Sequence, residues 1–293
     1  SGCYYGVIRK LMYESDILVA NHSLLLSEAK VPGILPEHDS IIIDEVHNLV
    51  RGGYDQFKVE LNHNNVVSLL NSINPNHPRS KRWNNILESI VDTEPSLKIL
   101  KEKLKLELEY IKISFEKFME QLAINNENQF DIGKAYQERP IIQSLSKEYS
   151  SLNKELSSFL DRSQRLLVCF TNLRNFVSKV DAKKTKYLYL HSVLDKGLEN
   201  INALNDSINL LTTAQDNEWV YWKEGYYNSR KDIDSQLQVS LHASKIDISE
   251  ILRNRLYNKN SNFILTSATI KVEESFNYFL QRNGLIDNEN LLT

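Results

Sequence analysis

Apolar positions in the middle of the chain return every three or four residues. Leu97, Leu100, Leu104, Leu108, Ile111, Phe115, Phe118 and Leu122 fall on one face of a helix, about seven turns long at 3.6 residues per turn. Tyr149, Leu152, Leu156, Leu160, Leu167 and Phe170 repeat the spacing, with Lys147, Glu148, Lys154 and Glu155 on the solvent-facing positions. A third stripe of Leu188, Val193, Leu194, Leu198, Ile201, Leu204, Ile208 and Leu211 predicts a helix over roughly Tyr187 to Thr212. The first two helices are expected to pack antiparallel, and the three together to build an elongated helical module.

The two ends carry another pattern. Ile17-Leu18-Val19-Ala20, Ile41-Ile42-Ile43 and Phe263-Ile264-Leu265 are short uninterrupted apolar runs, as expected of strands covered on both faces in a parallel sheet. Asp247 and Glu250 read as an N-cap and its capping-box partner, opening a helix through Ile251, Leu252 and Leu256. Trp219, Val220, Tyr221 and Trp222 alternate as a strand would, Trp219 and Tyr221 on one face and Trp222 on the other. The fold class is therefore α/β with a large all-α insertion. Its expected boundaries are residues 1–53, a helical insertion at 54–216, and a return to the first domain at 217–293.

Composition sharpens this picture. Only Gly 9 and Pro 6 occur in 293 residues, so turns are few and elements long. A net charge of −3 excludes a basic coat, and Cys3 and Cys169 alone exclude a disulfide framework or a metal site built wholly of this chain's cysteines. Two cysteines suit a reducing compartment, so a cytoplasmic location is expected. No apolar run reaches the ~18 residues of a membrane span. The tight basic cluster Lys183, Lys184 and Lys186 reads as a solvated loop or as a phosphate contact.

The chemistry concentrates after two of the apolar runs. Asp44 and Glu45 end the run Ile41-Ile42-Ile43, at the strand end where open α/β sheets place their ligands. Nucleotide hydrolysis uses such a pair, one carboxylate for Mg²⁺ through water and the next for the attacking water; an exposed acidic turn is the plain alternative. Thr266, Ser267 and Thr269 end the run Phe263-Ile264-Leu265, where hydroxyls bond neighbouring groups without filling a crevice.

Together Ile42-Ile43-Asp44-Glu45-Val46-His47 and Ile264-Leu265-Thr266-Ser267-Ala268-Thr269 resemble motifs II and III of superfamily 2 helicases. A long helical insertion between those motifs is similar to the arch domain of the XPD/DinG branch. Asp16 to Leu26 and Leu241 to Ser249 resemble the DinG segments ahead of the two motifs. The resemblance implies a partial P-loop NTPase (RecA-like) parallel sheet interrupted by an elongated helical arch, in an ATP-dependent DNA helicase or 3′–5′ exonuclease. It implies ATP and Mg²⁺ as cofactors, Asp44 on the metal through water, Glu45 on the attacking water, and His47 reporting nucleotide state. Thr266, Ser267 and Thr269 become coupling residues, and single-stranded DNA the partner. Lys183, Lys184 and Lys186 are candidate contacts to it; Asn21 and His22 read as such contacts or as caps of the Ser23–Ser27 turn, and Trp222 as core packing or as a face for base stacking.

Departures from the family pattern carry their own expectations. No Gly-x-x-x-x-Gly-Lys-Ser/Thr loop occurs, and the second motor domain has no counterpart. An internal segment without ATPase activity of its own is therefore expected, with the phosphate-loop region and second motor domain as its partners. Cys3 stands where many relatives have the last of four cluster cysteines, but an iron–sulfur cluster is not expected in this chain. The competing class is a non-catalytic helical module that docks a protein partner.

Overall fold

A computed structural model describes residues 4–91, 94–131, 137–179, 185–227, 237–257, 262–272 and 275–286. Helices α1 (Tyr4–Tyr13) and α2 (His22–Lys30) precede strand β1 (Ser40–Ile43) and helix α3 (Leu49–Phe57). Strand β2 (Val59–Leu61) leads into α4 (His63–Ile73), α5 (Lys81–Val91) and α6 (Pro95–Asn126). Strand β3 (Gln137–Pro140) and the single turn α7 (Leu145–Glu148) come before α8 (Asn153–Val177) and α9 (Thr185–Thr213). The chain then forms β4 (Trp219–Tyr227), β5 (Leu237–Lys245), α10 (Ser249–Leu252), β6 (Asn262–Leu265) and α11 (Asn277–Arg282). These elements make two compact units, one of Ser1–Lys58, Glu218–Val220 and Ser244–Thr293, the other of Val59–Asn217 and Tyr221–Ala243.

The second unit is built on the helical stripes. Helices α6 and α8 run antiparallel: Ser151, Ser158 and Arg162 meet Asn125, Ser114 and Glu107 in turn, at 2.8, 3.3 and 3.5 Å. Between them Phe159 packs on Phe115 and Phe118, with ring centroids 5.2 and 5.7 Å apart. The predicted α6 stripe is buried except for Leu100, which is half-buried. In the other two stripes Leu152, Leu156, Phe170, Leu194, Ile201, Leu204, Ile208 and Leu211 are buried as expected, and single positions are displaced. Phe159 and Leu166 are fully buried where Leu160 and Leu167 stay half-buried, and Leu190 is fully buried where Leu188 stays exposed. Leu160 and Leu167 sit 100° round the helix from Phe159 and Leu166, and Leu188 sits 200° from Leu190; the buried set alternates steps of three and four, Leu156-Phe159-Ser163-Leu166-Phe170 in α8 and Leu190-Leu194-Gly197-Ile201-Leu204 in α9.

Helices α8 and α9 approach closely at Gly197, where an added Cβ would lie 2.6 Å from Cζ of the buried Phe170. Gly197→Ala is expected to be destabilising. Overpacking costs about 1–3 kcal/mol, against at most about 1 kcal/mol gained from helix propensity. Urea unfolding with an unchanged m-value would show it as a lowered midpoint.

An antiparallel sheet in the order β2-β5-β4-β3 completes this unit. Lys223 of β4 is 2% exposed and spends its ammonium on Gln129 Oε1 (3.2 Å), Glu148 Oε2 (3.2 Å) and the Tyr149 hydroxyl (2.5 Å).

In the first unit β1 and β6 pair in parallel, Ile43 opposite Leu265. Leu26, Ala29, Ile43, Val46, Leu49, Ile248, Leu252 and Leu256 form its core. The buried Glu28 carboxylate accepts the backbone N–H groups of Gly33, Ile34 and Leu35 at 3.1, 2.7 and 3.0 Å, fixing the approach to β1. Two expectations are corrected here. Ile17-Leu18-Val19-Ala20 is not a strand, and Ile17 and Val19 are 83% and 92% exposed. The sheet is covered on one face only, since Ile42 and Ile264 are also exposed. A run of β-branched residues reports strand preference, whereas coverage of both faces depends on what packs there, and no described element covers the second. Asp247 accepts from Ser249 N at 2.9 Å, and the helix that follows is a single turn widening into a π turn at Arg253–Tyr257.

Candidate active site

The site grows out of the β1–β6 ladder. Beyond the strand ends the two segments keep bonding: Thr266 N–H donates to Ile43 O at 2.9 Å, and Val46 N–H to Thr266 O at 3.1 Å. Asp44, Glu45 and His47 are thereby held beside Thr266 and Ser267, although the two groups lie 219 or more positions apart in sequence.

Turning out of β1 forces Glu45 into the left-handed region at φ 48°, ψ 42°, which an L-residue with a side chain adopts only at a cost. Its N–H donates to Asp44 Oδ1 at 2.9 Å. His47 Nδ1 lies 2.7 Å from Ser267 Oγ and 3.2 Å from Glu45 Oε2. Glu45, His47 and Ser267 thus form one polar chain from the first motif to the second. Thr266 and Thr269 are exposed, and Thr269 N–H donates to Ser267 Oγ at 3.4 Å.

A further support comes from the segment that opens α2. His22 Nε2 donates to the Asp44 carbonyl at 2.8 Å, and Asn21 Oδ1 accepts Leu24 N–H at 2.9 Å as the N-cap of α2. For Asn21 the cap is one of the two readings the sequence leaves open, beside a contact to DNA. The N-cap pattern ahead of an apolar helix was the signal for Asn21; His22 meets Asp44 only through the fold.

No family model matches the chain. It is 22% identical over 298 residues to the 3′-5′ exonuclease DinG of Bacillus subtilis (strain 168), covering 97% of this chain and 30% of that protein. It is 23% identical over 293 residues to the ATP-dependent DNA helicase YoaA of Haemophilus influenzae, covering 97% of this chain and 37% of that protein. The chain is DinG-like. It spans about a third of the length of the curated relatives it matches.

The remaining candidates of this DinG-like chain are distributed. Trp222 is half-buried, stacks on His242 with centroids 5.3 Å apart, and donates its indole N–H to Glu224 Oε1 at 2.9 Å. One face and the donor of that ring are thus already engaged. Lys183, Lys184 and Cys3 lie outside the described residues, as does the side chain of Lys186 in the first turn of α9. Cys169 is buried within α8, and burial pushes its thiol pKa up, which keeps it an unreactive thiol. Among the described residues no three His, Cys, Asp or Glu side chains gather as a metal cage, and no helix is long and apolar enough to cross a membrane.

Proposed function

We propose that the chain is an internal segment of a DinG-like ATP-dependent enzyme acting on DNA, a helicase or a 3′–5′ exonuclease. It contributes motifs II and III of a RecA-like motor domain, and the helical unit between them is the arch that guides single-stranded DNA. The observation that carries this reading is the 2.7 Å contact of His47 with Ser267 across 220 positions. The contact ties together, by side chains of complementary chemistry, the two motif-like turns at the same end of neighbouring parallel strands.

Asp44 suits Mg²⁺. Its carboxylate is exposed and only Oδ1 is taken, by the Glu45 N–H, and Mg²⁺ in nucleotide sites keeps several waters and needs just one or two carboxylates beside the phosphates. When bound, Mg²⁺ would neutralise charge on the nucleotide phosphates. Glu45 orients and deprotonates the attacking water. His47 stands between Glu45 and Ser267 and links the first motif to the second, with Thr266 and Thr269 beside it on the coupling segment. Lys183, Lys184, Lys186, Trp222, Asn21 and His22 remain the proposed nucleic-acid contacts inferred from sequence.

The chain has no phosphate-binding glycine loop, so nothing in it grips the β- and γ-phosphates. Purified chain incubated with Mg²⁺ and ATP is expected to release no phosphate above background, with or without DNA. Turnover that survives repurification would overturn the division of labour proposed here.

A further inference from the structure

From Leu61 to Leu87 the chain carries no acidic residue, yet Arg79, Lys81 and Arg82 crowd into four positions. All three are exposed, and none makes an ion pair among the described residues. The backbone beneath them is pinned. Ser80 is fully buried and donates to Ser72 O at 3.2 Å, Trp83 is 3% exposed, and the His77 ring accepts Arg79 N–H at 3.3 Å. The cations therefore project from a rigid turn between two buried anchors. They also open α5, whose first turn holds no acid. Cations at the positive end of a helix dipole are unfavourable, and a bound anion relieves them. Beside them the Arg82 guanidinium lies 4.1 Å over the ring of Tyr189 in α9. A planar cation stacked on an aromatic face is a platform that bases extend by stacking.

We infer that Arg79, Lys81, Arg82 and Tyr189 form a contact for single-stranded nucleic acid, the cations on backbone phosphates and the Arg82–Tyr189 stack against a base. The inference rests on the reading of the chain as a DNA-processing segment and adds a site to it. The aromatic stack favours nucleic acid over an anionic membrane, which would be met by cations alone.

The test is fluorescence anisotropy of the whole chain with labelled oligothymidylate across a salt series. Single strands contribute a slope of about 0.7 per phosphate neutralised, so the combined Arg79→Gln, Lys81→Gln and Arg82→Gln variant is expected to flatten the plot of log K against log salt by about 2. Tyr189→Ala is expected to weaken binding about fivefold or more at fixed salt. Thermal unfolding of each variant, alongside the parent chain, separates lost contact from lost fold. If the unmodified chain binds and the triple variant keeps its slope, the site is overturned while the DNA-processing reading stands. Loss confined to Lys183→Gln/Lys184→Gln has the same meaning. If the unmodified chain fails to bind even at low salt, the DNA-guiding role falls together with this site. Binding to phosphatidylserine vesicles but not to the oligonucleotide reassigns the cations to a membrane and also overturns the inference.

Discussion

In an enzyme that joins this chain to a phosphate loop and a second motor domain, Glu45→Gln is expected to lower ATP turnover about 10²–10⁴-fold. The exchange keeps size and hydrogen-bonding shape but removes the base that takes the proton of the attacking water. Nucleotide affinity should change little, because the carboxylate acts on water and not on the phosphates. Steady-state ATPase paired with nucleotide-binding titration distinguishes the two, and turnover within threefold of the parent would remove Glu45 from the role. A companion substitution exposes the cost of this position. Glu45→Gly is expected to be equally inactive yet more stable by about 1 kcal/mol, since glycine adopts the left-handed φ of 48° without the Cβ clash.

The second large effect lies far from that turn, at Lys223. Its three ammonium donors are all used on Gln129, Glu148 and Tyr149, and Glu148 also accepts the Ile142 N–H at 3.0 Å. Removing the cation leaves the 14%-exposed Glu148 side chain charged and without its partner. Breaking one side of a buried pair costs about 3–5 kcal/mol, whereas replacing both sides is often near neutral. Lys223→Met alone should therefore destabilise the chain by several kcal/mol, and Lys223→Met with Glu148→Gln should recover much of the loss. Chemical unfolding of the two single variants and the double variant measures this as a coupling energy. Additive losses would mean that the pair is not energetically linked.

Much of the framework was legible because it depends on local periodicity. The α6 stripe from Leu97 to Leu122 follows the 3.6-residue repeat of the helix and is buried almost throughout. Motif chemistry was legible for a related reason: Asp44-Glu45 and Thr266-Ser267 stand directly after apolar runs, and strand ends are where open sheets expose polar groups. The displaced positions in α8 and α9 needed a stricter pattern. Leu190 and not Leu188 continues the alternating steps of four and three through Leu194, Ile201, Leu204, Ile208 and Leu211, and it is Leu190 that is buried.

What no local pattern contains is distance between remote segments. The sequence determined a mostly helical chain with strands near its ends, the places of its polar turns, and a resemblance carried by two short motifs. It also determined that the glycine loop for phosphates is absent. Tertiary structure alone decided that His47 reaches Ser267, that His22 holds the Asp44 carbonyl, that Arg82 lies over Tyr189, and that Ile42 and Ile264 face outward. The first three are pairings between separate segments, and the fourth follows from the absence of a covering element among the described residues. Such pairings follow from the register of β1 on β6 and from the packing of α5 against α9, where long-range burial outweighs the local preferences that a sequence displays.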